Sequence, residues 1–144
     1  KCERLLALGA DEAINYSTTA IDSWVKKKTG SLLRGGGMDV VVNFTAGDTW
    51  MPSMRCVKRF GKLLCCGGTG GYQTVTDIPY LFMSEMSIIG STGWTMEDQK
   101  ACIELVASGR LKPVIDRVVP LPGAIDACAA FEKRDFFGKI IVAP

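Results

Sequence analysis

The run Met38-Asp39-Val40-Val41-Val42-Asn43 passes through Phe44 into Thr45-Ala46-Gly47, so an apolar, β-branched stretch ends in small residues. The plan recurs twice. Lys62-Leu63-Leu64-Cys65-Cys66 leads into Gly67-Gly68-Thr69-Gly70-Gly71, and Ser87-Ile88-Ile89 leads into Gly90-Ser91-Thr92-Gly93. Continuous apolar runs, without alternation, mark strands covered on both faces, as in a parallel sheet. Each run gives way to a loop or a helix-like segment, not to a tight hairpin turn. The small residues at the strand ends bear on function. Open α/β sheets take ligands beyond the carboxyl ends of their strands, and a main chain without side chains lets a ligand come close.

The flanking segments continue the alternation. Residues 1–8 read as the end of a helix stopped by Gly9, and 13–16 as a short strand. Thr19-Ala20-Ile21-Asp22 resembles a capping box with Asp in place of Glu; it opens a helix that carries Ile21, Trp24 and Val25 on one face and stops near Gly30. Its Lys26-Lys27-Lys28 suit the negative end of the helix dipole. After a glycine-rich loop over 30–37 and the strand Met38–Asn43, Asp48 or Gly47 caps a helix bearing Trp50, Met54 and Val57. Phe60-Gly61 turns into a strand over 62–66. Residues 67–85 are irregular apart from a short apolar piece around 78–83, and a strand over 86–90 follows. Thr95-Met96-Glu97-Asp98 starts a helix with Cys102, Leu105 and Val106 inward, ending at Gly109. A strand over 114–119, a helix over 123–133 presenting Ile125, Cys128 and Ala129, and a strand over 138–142 complete the chain. Strands alternating with helices predict βαβ units and an α/β fold with a doubly wound parallel sheet.

Composition narrows the function. A chain of 144 residues with 47% hydrophobic and 22% charged residues can bury the core of one domain. A net charge of +2 gives no basis for a nucleic-acid partner or a polybasic membrane surface. No apolar run reaches transmembrane length, and no signal peptide is recognisable. The six cysteines (Cys2, Cys56, Cys65, Cys66, Cys102 and Cys128) form no CxxC pair, and Cys65-Cys66 fall within a strand expected to be buried. They read as free thiols of a reducing, cytoplasmic compartment. The absence of histidine excludes, within these residues, a Ser-His-Asp triad, a Cys-His pair and His-ligated zinc. No residue stands out as a catalytic acid or base, and no metal-ligand set is visible. The G-x-G-x-x-G fingerprint of dinucleotide-binding domains is absent as well. Gly35-Gly36-Gly37 precedes a strand, and the glycines at 67–71 have the wrong spacing.

Short motifs in a fixed order sharpen the reading. They are Leu8-Gly9-Ala10-Asp11, Ile14-Asn15-Tyr16, Met38 to Asn43, Gly61-Lys62-Leu63-Leu64 with Cys66-Gly67, and Ile88-Ile89-Gly90-Ser91-Thr92. Gly109-Arg110-Leu111-Lys112-Pro113-Val114-Ile115-Asp116 and Phe137-Gly138-Lys139-Ile140-Ile141-Val142 close the series. This set resembles the C-terminal part of the medium-chain dehydrogenase/reductase superfamily, the group of zinc-type alcohol dehydrogenases and quinone reductases. The resemblance implies a Rossmann-like sheet that lacks its first two strands. Residues 1–112 would then be the C-terminal part of a dinucleotide-binding domain, and 113–144 a segment returning towards a catalytic domain. The glycine fingerprint, any zinc ligands and the proton relay would lie upstream. In the strand order 3-2-1-4-5-6, the strands at 13–16 and Met38–Asn43 would be the third and fourth, separated by a gap of roughly 10 Å beyond normal pairing. Unpaired inner edges would leave such a fragment poorly stable on its own.

The resemblance also implies functional residues. Thr45, Ala46 and Gly47 would lie towards the ribose and nicotinamide of NAD or NADP, or else form an ordinary strand-to-helix turn. Cys66, Gly67, Gly68 and Thr69 match the strand end whose backbone runs along the nicotinamide, with glycine keeping side chains out of the coenzyme's path. Ser91, Thr92 and Gly93 match the end that holds the carboxamide, although their hydroxyls could instead cap the next helix. Lys139 could approach the coenzyme phosphates or simply be solvated. Trp24 and Trp50 read as core anchors; Tyr72 and Trp94 fall in loops near the supposed cleft. The function implied is part of an NAD(P)-dependent oxidoreductase that moves a hydride between nicotinamide and an alcohol, a carbonyl or an activated alkene, with zinc possible only through residues outside this chain. An S-adenosylmethionine-dependent methyltransferase and a non-catalytic dinucleotide-binding module are the alternatives. The edge strand over 86–90, Met86 to Gly90, predicts a homodimer.

Overall fold

The computed structural model describes residues 1–31 and 34–144. These form two compact units, 2–93 and 94–144, the latter including Lys1.

The first unit is built on a three-stranded parallel sheet in the order β1-β2-β3, with β1 at Met38–Asn43, β2 at Val57–Cys65 and β3 at Ser87–Gly90. Parallel neighbours need crossovers. Helix α3 (Trp50–Cys56) supplies the one between β1 and β2, and helix α4 (Ile78–Ser84) lies in the one between β2 and β3. Val41, Leu63 and Ile88 stand opposite one another, as do Asn43, Cys65 and Gly90. The strands therefore end level with one another at their carboxyl ends. Near its start β2 takes extra residues against β1, because Met38 pairs with Val57 but Val40 with Lys62. Phe60 turns there at φ 64, and a Cβ on Gly61 would stand 2.7 Å from the Val57 side chain. The expected Phe60-Gly61 turn is thus a bulge that feeds the straight part of β2.

The core lies under one face of this sheet. Trp50, Met54, Val57, Leu63 and Met86 are buried together, with Val41, Met51, Cys65, Tyr80 and Leu81 packed against them. The helical spacing that puts Trp50 and Met54 on one side of α3 is what carries both into the core. The expectation of strands buried on both faces holds for one face only. Val40, Val42 and Ile89 point the other way and keep 51%, 45% and 41% of their surface exposed. Trp50 is a core anchor as read, whereas Trp24 is only half-buried.

Upstream of β1 lie helix α1 (Cys2–Ala7) and helix α2 (Ile21–Thr29), with Val25 buried and Gly30 closing α2 at φ 94. The strand expected over 13–16 does not form. Asn15 folds the chain locally instead: its carbonyl accepts from the Thr18 and Thr19 amides, and its side chain accepts from the Ser17 amide. Among the described residues no strand pairs with this segment or with the outer edge of β1. An extended segment without a partner has no ladder to join, so side-chain turn chemistry wins. Beside β1, Ile14, Ile21, Trp24, Val25, Val40 and Cys56 contribute to an apolar cleft of about 290 Å³.

Two of the three expected caps also fail. Ala20 precedes α2 with no side-chain cap, so the box read at Thr19–Asp22 is absent; Asp22 accepts from the Ser23 amide instead. A single 3-10 turn over Gly47–Thr49 leads into α3, and neither Gly47 nor Asp48 caps it.

In the second unit, strands β4 (Ile115–Pro120) and β5 (Lys139–Ala143) pair in parallel around helix α6 (Ala124–Glu132), preceded by helix α5 (Met96–Ala107). The box at α5 forms in full: Thr95 Oγ1 accepts from the Asp98 amide, and Asp98 accepts from the Thr95 amide. The inward sets expected for these helices are not observed. Cys102 and Val106 are exposed and Leu105 is half-buried, while in α6 Ile125, Cys128 and Ala129 are exposed and Ala127 is buried. Ala127 is the one buried hydrophobic residue described in this unit, so its helices have little core to face.

Candidate coenzyme-binding rim

Three strand ends meet along one rim of the first unit, joined by main-chain hydrogen bonds. The Cys66 amide donates to the Asn43 carbonyl at 3.1 Å, the Ser91 amide to the Cys65 carbonyl at 2.9 Å, and the Gly70 amide to the Thr45 carbonyl at 2.7 Å. Thr45, Ala46, Cys66, Gly67, Gly68, Thr69, Ser91, Thr92 and Gly93 therefore follow three adjacent strands at the same edge. Thr45, Cys66, Thr69, Ser91, Thr92 and Gly93 are exposed there, Gly67 and Gly68 are half-exposed, and Ala46 is buried. Tyr72 reaches this rim too, its ring beside Gly68 and 96% exposed. Cys66 stands just past the end of β2, so the burial expected for the Cys65-Cys66 pair holds partly for Cys65 and not for Cys66. Lys139 belongs to the second unit, where it opens β5, exposed, its amide donating to the Val114 carbonyl at 2.8 Å.

The glycines have a packing role that sequence reading missed. A Cβ on Gly67 would lie 2.0 Å from the Phe44 carbonyl oxygen, and one on Gly47 would lie 2.1 Å from the Gly70 carbonyl oxygen. Both positions let one loop rest directly on the main chain of the next. Gly90 and Gly93 meet nothing within 4 Å, so the open side of the rim is at the third strand end. A pocket of about 380 Å³ lined by Gly47, Asp48, Met51, Gln73, Thr74 and Val75 adjoins the first.

Asn43 organises the first strand end and was not singled out from sequence. Only 3% exposed, it accepts from the Thr45 amide at 2.9 Å and the Ala46 amide at 2.7 Å through Oδ1. Its Nδ2 donates to the Thr49 and Ser53 hydroxyls, each at 2.9 Å. These bonds hold Ala46 at φ 54 and ψ −142, a conformation that ordinarily belongs to glycine. A polar residue ending an apolar strand just before a small-residue loop was the available signal.

The Cys56 thiol, under α3, is pushed up to about 11 by burial and then by the nearby Asp22 carboxylate. Burial, then Cys56, raises the Tyr80 phenol as well. Both lie in or near the core.

The parallel sheet with a bare rim at its carboxyl ends is a Rossmann-like arrangement. The sequence profile of the zinc-binding dehydrogenase family matches residues 8–142, and the chain belongs to that family. Quinone oxidoreductase-like protein 2 of Bos taurus is 25% identical over 99% of this chain and 42% of its own length. A probable zinc-binding oxidoreductase, mitochondrial, of Arthroderma benhamiae is 27% identical over 94% of this chain and 39% of its own. Among solved structures, an NAD-dependent alcohol dehydrogenase superposes with a TM-score of 0.84 at 30% identity, covering 100% of this chain and 41% of that one. The 2-octenoyl-CoA carboxylase reductase CinF, solved with NADP and 2-octenoyl-CoA, gives 0.79 at 28% identity, covering 96% and 34%. The chain thus spans about two fifths of the length of the relatives it matches.

Proposed function

We propose that this chain forms the nicotinamide-facing part of the coenzyme site of an NAD(P)-dependent oxidoreductase, which moves a hydride between the coenzyme and an alcohol, a carbonyl or an activated alkene. The observation that carries the reading is the rim itself: three adjacent strand ends, stitched through main-chain bonds, that offer small residues and bare backbone to a flat ring. NAD or NADP supplies the hydride chemistry when bound. The chain's share is to bind and orient. Thr45 and Ala46 flank the coenzyme's ribose side, Cys66 to Thr69 lie along the ring, and Ser91 to Gly93 hold its carboxamide end. Holding the ring in one pose fixes the distance and face for transfer.

Residues 1–112 are read as the C-terminal part of the dinucleotide-binding domain, and 113–144 as the segment that returns to the catalytic domain. Zinc is a different matter. Among the described residues no three His, Cys, Asp or Glu side chains gather as a metal set. The described residues do not fit the ion.

The strand β3 forms one edge of the sheet, with all four residues exposed. That edge supports a homodimer paired through it. Six free cysteines support a reducing compartment, the cytoplasm. No described helix is long and apolar enough to cross a membrane.

The test is coenzyme-protected alkylation of the full-length gene product. Iodoacetamide should modify the exposed Cys66, Cys102 and Cys128. Saturating NADH or NADPH should slow reaction at Cys66 at least fivefold and leave Cys102 unchanged. Equal rates at Cys66 with and without either dinucleotide would sink the proposal.

A further inference from the structure

The hydrogen bonds around Asn43 fix the direction of the Thr49 and Thr45 hydroxyl protons in a short chain that ends at the rim. Oδ1 of Asn43 faces the Thr45 and Ala46 amides, which can only donate, so Nδ2 must be the atom turned to Thr49 and Ser53. Thr49 Oγ1 therefore accepts a hydrogen from Asn43 at 2.9 Å. The same oxygen lies 2.7 Å from the Ala46 carbonyl, which can only accept, so the single Thr49 hydroxyl hydrogen goes there. Thr45 Oγ1 stands 2.8 Å from Thr49 Oγ1. With the Thr49 hydrogen already engaged, the Thr45 hydroxyl gives its own hydrogen inward to Thr49. Thr49 Oγ1 then accepts twice and donates once, its full capacity. Thr45 Oγ1, exposed at the rim, keeps only lone pairs for anything that approaches.

We infer that Thr45 is a fixed hydrogen-bond acceptor that selects a neutral donor on the coenzyme's nicotinamide half, with Asn43 and Thr49 as the positioning residues that set its polarity. The inference rests on the coenzyme reading above. Such a donor exists in two places on that half: a ribose hydroxyl and the carboxamide amino group. A hydroxyl free to rotate would serve donors and acceptors alike. A hydroxyl whose proton is committed inward favours donors and opposes an anionic oxygen. The main-chain tie from the Gly70 amide to the Thr45 carbonyl holds the acceptor in place relative to the second strand end.

The experiment titrates the full-length gene product, wild type and variants, with reduced dinucleotides by fluorescence. Two analogues are compared with the parent coenzyme. One lacks both hydroxyls on the nicotinamide-side ribose; the other carries acetylpyridine, in which a methyl replaces the carboxamide amino group. Thr45→Val is expected to weaken parent binding about five- to tenfold, the worth of one neutral hydrogen bond. One analogue should lose a similar factor against wild type and nothing more against Thr45→Val, which names the donor. Thr45→Ser, which keeps the hydroxyl, should bind within about twofold of wild type, separating polarity from folding. Thr49→Val, which frees the Thr45 proton, should lose about two- to threefold. If both analogues lose as much against Thr45→Val as against wild type, the inference is overturned while the coenzyme reading stands. If wild type binds neither NADH nor NADPH, the coenzyme reading falls and takes this inference with it.

Discussion

Replacing Gly67 by Ala tests whether the rim glycines serve loop packing. The added methyl would stand 2.0 Å from the Phe44 carbonyl oxygen. A relaxed carbon-to-oxygen approach is about 3.3 Å, so one main chain must retreat by more than about 1 Å. Phe44 has little freedom to do so. The Asn43 carbonyl on one side accepts from the Cys66 amide at 3.1 Å, and the Thr45 carbonyl on the other accepts from the Gly70 amide at 2.7 Å. Breaking one of these costs about 1 kcal/mol, and forcing the methyl in costs about 1–3 kcal/mol. The expected loss is about 2–4 kcal/mol. Gly90→Ala is the control, because its methyl meets nothing within 4 Å and its φ is not in the left-handed region. It should be neutral or stabilising by up to about 1 kcal/mol. Urea unfolding of the full-length protein reads both. Equal stability of the two variants would refute the packing argument.

Other perturbations probe other parts of the molecule. Met54, with no exposed surface at the centre of the core, should cost about 2–5 kcal/mol as Met54→Ala in the same unfolding assay. The Asp98 carboxyl is held below its ordinary value of 3.8, first by the Thr95 amide and then by the Thr95 hydroxyl. A depressed folded value means that its stabilisation is present above pH 4 and is lost as pH falls below about 4. Melting curves of wild type and Thr95→Ala should therefore differ most at neutral pH and keep a smaller difference in acid, where the lost acceptor for the Asp98 amide still counts. Ile88→Glu, placing like charges on both copies of a paired β3 edge, should shift a full-length dimer towards monomer in sedimentation; an unchanged dimer would exclude that edge as the interface.

The parallel strands were readable because each is a continuous β-branched or aliphatic run closed by small residues, and the order of those runs carried the family resemblance. The strand read at 13–16 was not, because strand formation depends on a neighbour, and local sequence does not say whether one is there. Asn15 then decides the conformation through its own turn. Caps were readable only where both halves of the exchange exist. Thr95 and Asp98 satisfy each other, whereas Asp22 is taken by the adjacent Ser23 amide. At the rim, the positions of Thr45, Gly67 and Ser91 on neighbouring strand ends followed from the parallel reading. The reason for glycine at 67 did not, since the contact with Phe44 joins residues distant in sequence. Asn43 escaped notice because a polar residue at a strand end usually faces water. Here it is buried, and its partners are amides two and three residues ahead.

Amide hydrogen exchange on the full-length protein, with and without saturating NADH or NADPH, addresses the rim most directly. The account predicts that exchange slows in the segments 45–47, 66–70 and 91–93 together, while the amides of α5 are unchanged. Slowing confined to any other surface, with all three strand ends exchanging as before, would contradict it.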